Sequence, residues 1–103
     1  MYEKLLSELT DTEMVLLDNS ANALFKASCK DLKKEALDAL KDEWEDAAKN
    51  EEANIQSFLN KEASESIEEK KILWHNLAKN AAVRKHFHVQ LINNINGQSN
   101  NSM

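Results

Sequence analysis

The sequence predicts an all-α protein, a bundle of four to five helices with a long C-terminal helix. The chain has 103 residues, no proline and a single glycine, Gly97. Sheet proteins of this size need several tight turns, which depend on glycine and proline. Apolar residues also recur at spacings of three and four, the period of a helix with one buried face. A hydrophobic share of 42% with a charged share of 30% suits amphipathic helices of this kind.

The chain is short enough for one domain, which we expect over residues 1–96. Asn96-Gly97 is typical of a helix end, so residues 97–103 are predicted to be a disordered polar tail. Cys29 is the only cysteine, which excludes an internal disulfide and favours a small buried thiol. No signal-peptide pattern and no apolar run long enough for a membrane span are present, so we expect a cytoplasmic protein without membrane contact.

Two helices are predicted in the first part of the chain. Apolar residues such as Leu5 favour a short helix over residues 2–9. Thr10 is followed three residues later by Glu13, the spacing of a capping box in which each side chain bonds to the other residue's backbone amide. The second helix is therefore expected over residues 12–28.

Two gaps interrupt the apolar stripe in the middle of the chain. At the first gap, Ser28 and Asp31 could cap a new helix over residues 31–49. At the second, Asn50 and two following acids suit a helix start, which predicts a further helix over residues 51–63. The main alternative merges these middle elements into longer helices that pair as a homodimer.

The last predicted helix is the longest, over residues 66–95. Ser66 and Glu69 have the spacing of a second capping box. A helix of this length can be the spine of a bundle or can pair with a second chain.

Catalytic and metal-binding patterns are weak. His86 and His88 are two residues apart and point about 200° apart on a helix, so they cannot share a metal ion. One glycine cannot form a glycine-rich phosphate loop, and paired carboxylates are common in a chain with 18 acids. We therefore expect no enzymatic activity, no metal and no cofactor.

The sequence favours a small protein-binding or regulatory module that acts through an acidic helical surface. Acids recur at helical spacing around a tryptophan, a residue type that often anchors interfaces. A partner with a basic surface would suit this face. The residues predicted to form it are Glu35, Asp38, Asp42, Trp44, Glu45 and Asp46.

The alternative is a nucleic-acid-associated regulator, which would act as a dimer. Residues 64–103 carry a net charge of +2, whereas residues 1–63 carry −7. We call residues 79–88 the basic segment. It carries few fixed positive charges, so one chain would bind nucleic acid weakly, and a dimer would double the number of these charges. The predicted contacts are Lys79, Arg84, Lys85 and His86.

Overall fold

The protein is all-helical over the residues described by the computed structural model, which are 2–101 for the backbone and 2–97 for the side chains. Within this range there are four helices and no strand. The helices are α1 (Tyr2–Leu6), α2 (Asp11–Cys29), α3 (Lys34–Ser64) and α4 (Glu68–Asn101). The predicted fold class is confirmed in its all-helical character.

Helices α3 and α4 form a long antiparallel hairpin connected by residues 65–67. Glu62, near the end of α3, contacts His75 near the start of α4, while Glu51 contacts Arg84 further along. The hairpin gives the molecule an elongated shape of 54 × 27 × 18 Å. The two shorter helices, α1 and α2, pack on the α4 side of this hairpin.

Helix α1 covers the half of the hairpin that lies near its connection. The Lys85 ammonium lies 4.0 Å from the centroid of the Tyr2 ring, and the Glu8 carboxylate contacts His75, so α1 runs antiparallel to α4. Buried alanines on α4 allow the neighbouring helices to approach closely. The buried residues of this first cluster are Leu5, Leu6, Ile55, Ala78, Ala81 and Ala82.

Helix α2 covers the other half of the hairpin and runs parallel to α4. Asp18 contacts His86, and Asn94 donates a hydrogen bond to Asn22 further along both helices. The second cluster lies beneath α2, where Trp44 and Phe87 pack at its edge. Its buried residues are Ala21, Phe25, Cys29, Leu37, Leu91 and Ile95.

The predicted capping box at the start of α2 is confirmed. The Glu13 amide donates to the Thr10 hydroxyl at 3.1 Å, and the Thr10 amide donates to the Glu13 carboxylate at 2.9 Å. The second of these bonds lowers the pKa of Glu13, because it stabilises the charged carboxylate. These two hydrogen bonds give partners to two backbone amides at the start of the helix that have no acceptor within the helix.

The predicted break between the second and third helices is also confirmed. Helix α2 ends at Cys29, whose side chain is fully buried, and α3 begins at Lys34. The N-cap of α3 is Lys33, which makes no side-chain capping bond. The predicted caps Ser28 and Asp31 therefore do not start this helix.

The second predicted break, at residues 49–52, is wrong. Helix α3 continues through Asn50 without interruption. Glu51 and Glu52, which suggested a helix start, instead form ion pairs with Arg84 and Lys85 of α4. No proline or glycine is present there to stop the helix, so the alternative that merged these two segments describes α3 correctly.

Both ends of α4 differ from the prediction. The helix begins at Glu68, and the amides of residues 70 and 71 donate to the Ile67 carbonyl. The Ile67 amide donates to the Glu65 carboxylate, which lowers the pKa of Glu65. No hydrogen bond joins Ser66 and Glu69 in the described part of the chain.

At its other end α4 passes through Gly97 and ends at Asn101, so the predicted end at residue 95 is too early. Gly97 does not adopt the positive φ of a helix-stopping glycine. Residues 102 and 103 of the predicted tail lie outside the described residues. The assignment of residues 97–103 to a disordered tail stays a prediction.

Candidate interaction surfaces

The outward face of α3 carries a column of carboxylates in its first half. At about 100° and 1.5 Å per residue, the five acids fall within an arc of about 100° and along about 17 Å of helix. Four of them are exposed and one, Glu45, is half-buried. We call this set the acidic column, and it comprises Glu35, Asp38, Asp42, Glu45 and Asp46.

The acidic column presents its charge to water. None of its carboxylates takes part in a salt bridge among the residues that the structure describes. Lys49 lies within the same arc and offsets part of the charge. The net charge of this face is negative and therefore attracts cationic groups. The potentials of neighbouring charges add together, because screening at physiological salt becomes strong only beyond about 8 Å.

Trp44 does not belong to this face. It lies about 200° around α3 from Asp42, and its half-buried side chain packs against the second cluster. Leu37 and Ala48 are buried on the same side of the helix. The prediction joined Trp44 to the acids because they are neighbours in sequence, whereas the helical period places them on opposite sides.

Arg84 and Lys85, two of the four residues predicted to contact nucleic acid, pair with carboxylates of this chain. Arg84 Nε lies 2.8 Å from Glu51, and Lys85 Nζ lies 2.7 Å from Glu52. The Lys85 ammonium also lies over the Tyr2 ring, in cation–π contact. These contacts hold α3 and α1 against α4 and neutralise much of the charge that the basic segment would present.

The other two predicted contacts also face other helices of the molecule. His86 Nε2 lies 2.8 Å from Asp18 of α2, and only 12% of the His86 side chain is exposed. Lys79 is half-buried beside the groove between α2 and α4, where Glu13 also lies. The structure therefore brings the basic segment into the contacts between helices.

His75 joins three parts of the fold, and no pattern in the sequence indicated this. Its Nε2 atom lies 2.8 Å from the Glu8 carboxylate, and its Nδ1 atom lies 3.2 Å from the Glu62 carboxylate. Hydrogen bonds to Glu8 and then to Glu62 raise the pKa of His75, despite partial burial. The two acids lie 67 and 13 residues away in sequence, beyond any local motif.

A groove separates the first half of α2 from the middle of α4. Its volume is about 470 Å³. Its apolar lining comes from Leu9, from Leu16 and Leu17 of α2 and from Val83 of α4. The other lining residues are polar, namely Glu13, Asn76, Lys79 and Asn80. Leu16 is 60% exposed, so the leucine side of this groove is open to solvent.

The described residues contain no group of three or more histidine, cysteine, aspartate or glutamate side chains that could hold a metal ion. Burial of Cys29 raises the pKa of its thiol, which disfavours the reactive thiolate. In the described range, no helix combines the length and apolar character that crossing a bilayer requires.

Comparison with known proteins adds no relative. No protein-family model, curated protein or solved structure matches this chain. The surfaces of the molecule are therefore the basis for a functional inference.

Proposed function

We propose that this protein is a small non-enzymatic binding module, which regulates or recruits a partner protein by docking its acidic column onto a basic surface. The observation that supports this proposal is the difference between the two charged regions of the chain. Carboxylates of the acidic column lack ion pairs among the described residues, whereas Arg84 and Lys85 are paired internally. A cytoplasmic location is part of the same proposal.

The geometry of the column favours a protein partner with lysine or arginine side chains. Five carboxylates along about 17 Å of one helix face can meet several cations at once. Each exposed pair contributes about 0.2–1 kcal/mol, so affinity requires several pairs, and association is expected to weaken as salt increases. Without Trp44, the column lacks the aromatic anchor that the sequence suggested, which favours reversible binding.

The test is quantitative capture from the native cell lysate with and without nuclease treatment, followed by affinity measurement with the purified retained protein. We expect the double variant Asp42→Lys, Asp46→Lys to bind that partner about tenfold more weakly, because it replaces two attractive charges with repulsive ones. The loss should shrink at high salt. Circular dichroism checks that the variant keeps its helices.

The matched control reverses two exposed acids that lie outside the column, Glu68→Lys with Glu69→Lys at the start of α4. It changes the net charge by the same amount, and we expect it to retain most of the affinity. Equal affinity of the wild type and the Asp42 and Asp46 variant would contradict the proposal. So would retention that disappears entirely with nuclease, which would favour the nucleic-acid alternative.

A further inference from the structure

Helix α2 presents an uncharged outer face in a highly charged chain. Between Met14 and Phe25 the only charged residue is Asp18, and its carboxylate contacts His86 of α4. Leu16 and Leu24 are 60% and 43% exposed. An uncharged surface with exposed leucines costs little to remove from water and gains from burial.

The exposed residues of this face are arranged symmetrically about Ser20. Leu16 precedes Ser20 by four residues and Leu24 follows it by four, so all three lie within an arc of about 80° on α2. Ser20, Ala23 and the two leucines are exposed. Small side chains at the centre allow a second helix to approach closely.

The charges at the two ends of α2 are of opposite sign. Asp11 and Glu13 lie in its first turn, and its only base, Lys26, lies in its last turn. Lys30 follows at the C-cap. When two copies of α2 cross antiparallel at Ser20, Glu13 of each, about 20° from Ser20, lies towards Lys30 of the other, about 80° from Ser20. Asp11 and Lys26 point about 180° and about 120° away from Ser20 and take no part in this contact.

We propose that the outer face of α2 docks a second copy of this chain, in a two-fold symmetric dimer whose α2 helices cross antiparallel at Ser20. Leu24 of each copy then lies against Leu16 of the other, beside the groove that Leu17 lines. Such a contact is isologous, because the same surface serves both subunits. It leaves the acidic column on α3 available for a different partner.

The first experiment is sedimentation equilibrium of the full chain over concentrations from about 1 to about 300 μM. One helix pair is smaller than a standard protein interface, so we expect a dissociation constant in the micromolar range. The expected mass rises with concentration to twice the 11.7 kDa of the chain. A monomer at about 300 μM overturns the proposal, since that limit places the dissociation constant well above the micromolar range.

A pair of variants tests which face forms the dimer. Leu16→Asp places a charge at both symmetric contacts, and we expect it to weaken the dimer at least about 100-fold. Val15→Asp is the control, because Val15 is 56% exposed on the same helix but lies about 140° around it from Ser20. A dimer that survives Leu16→Asp, or that is lost equally with Val15→Asp, overturns the proposed interface.

Cross-linking tests the crossing point without removing an apolar residue. In the proposed dimer two Ser20 side chains face each other, so Ser20→Cys is expected to form an intermolecular disulfide under mild oxidation. Cys29 is fully buried and stays unreacted. The control is Asn19→Cys, an exposed neighbour that points about 100° away. Equal cross-linking of both variants, or none of the Ser20 variant, contradicts the antiparallel crossing.

Discussion

At the scale of single residues, His75 has the most consequential environment in this fold. Each ring nitrogen faces a different carboxylate, one following α1 and one on α3. The doubly protonated ring can donate to both, whereas the neutral ring can donate to only one. Two small pockets include His75 in their lining, and their other charged lining residues are Lys4, Glu8, Glu62, Glu68 and Lys71.

Stability is therefore expected to depend on pH through His75. Its pKa is raised in the folded state, so the stabilising charge is fully present below the unfolded value of about 6.5 and is lost as pH rises through the higher folded value. We expect the free energy of unfolding in urea to fall as the pH rises above about 6.5 in the wild type, and to fall much less in His75→Gln.

His88→Gln is the control for that measurement. Within the described part of the chain, His88 contacts the backbone carbonyl of Arg84 and no carboxylate, so this variant should keep the wild-type pH dependence. Parallel pH profiles for the wild type and His75→Gln would show that the two carboxylates do not stabilise the charged ring.

Residue burial was predictable where it follows the helical period. The buried thiol of Cys29 is confirmed. The environment of His75 was not predictable, because Glu8 reaches it only after α1 has docked on α4. The roles of Arg84 and Lys85 were missed for the same reason, since their acidic partners lie 33 residues away in sequence.

At the scale of elements, the two middle gaps in the apolar stripe had different outcomes. Residues 30–33 interrupt the helical structure, whereas residues 49–52 lie inside α3. Local sequence predicted the capping box at Thr10 because both of its bonds span three residues. It could not decide the second gap, because Glu51 and Glu52 are suited both to a helix start and to ion pairs across a hairpin.

Replacement of Asn50 by alanine distinguishes a continuous α3 from two helices. In a helix interior, exposed asparagine is less favourable than alanine, so Asn50→Ala is expected to stabilise the protein by about 0.5 kcal/mol. Thr10→Ala is the control of opposite sign, since it removes a real cap and should cost about 1 kcal/mol. Both values come from urea unfolding, and a loss of about 1 kcal/mol for Asn50→Ala would indicate a helix start at this point.

At the scale of the whole molecule, the hairpin sets an extended shape. Helices α1 and α2 cover separate halves of it, and each half has its own cluster of buried residues. The radius of gyration of the Cα atoms is 15.9 Å, compared with about 13 Å for a compact domain of this length. The sequence indicated the long last helix. It did not indicate that α3, with 31 residues, is nearly as long as α4, with 34, because the prediction divided α3 at residues 49–52.

Small-angle X-ray scattering of the Leu16→Asp variant tests this shape, because we expect that variant to remain monomeric. The measured radius of gyration should lie close to 15.9 Å, with an elongated distance distribution. A value near 13 Å at the monomer mass would contradict the arrangement of two helices along one extended hairpin. The wild type at low concentration provides the comparison.

The buried position of Cys29 gives the protein a built-in reporter of local opening. Its thiol lies at the end of α2, in the second cluster, with no exposed surface. A thiol reagent can reach it only when α2 separates from the hairpin, so the labelling rate measures the free energy of that separation. If the free energy obtained from labelling is lower than the free energy of global unfolding in urea, this end of the molecule opens separately from unfolding of the whole.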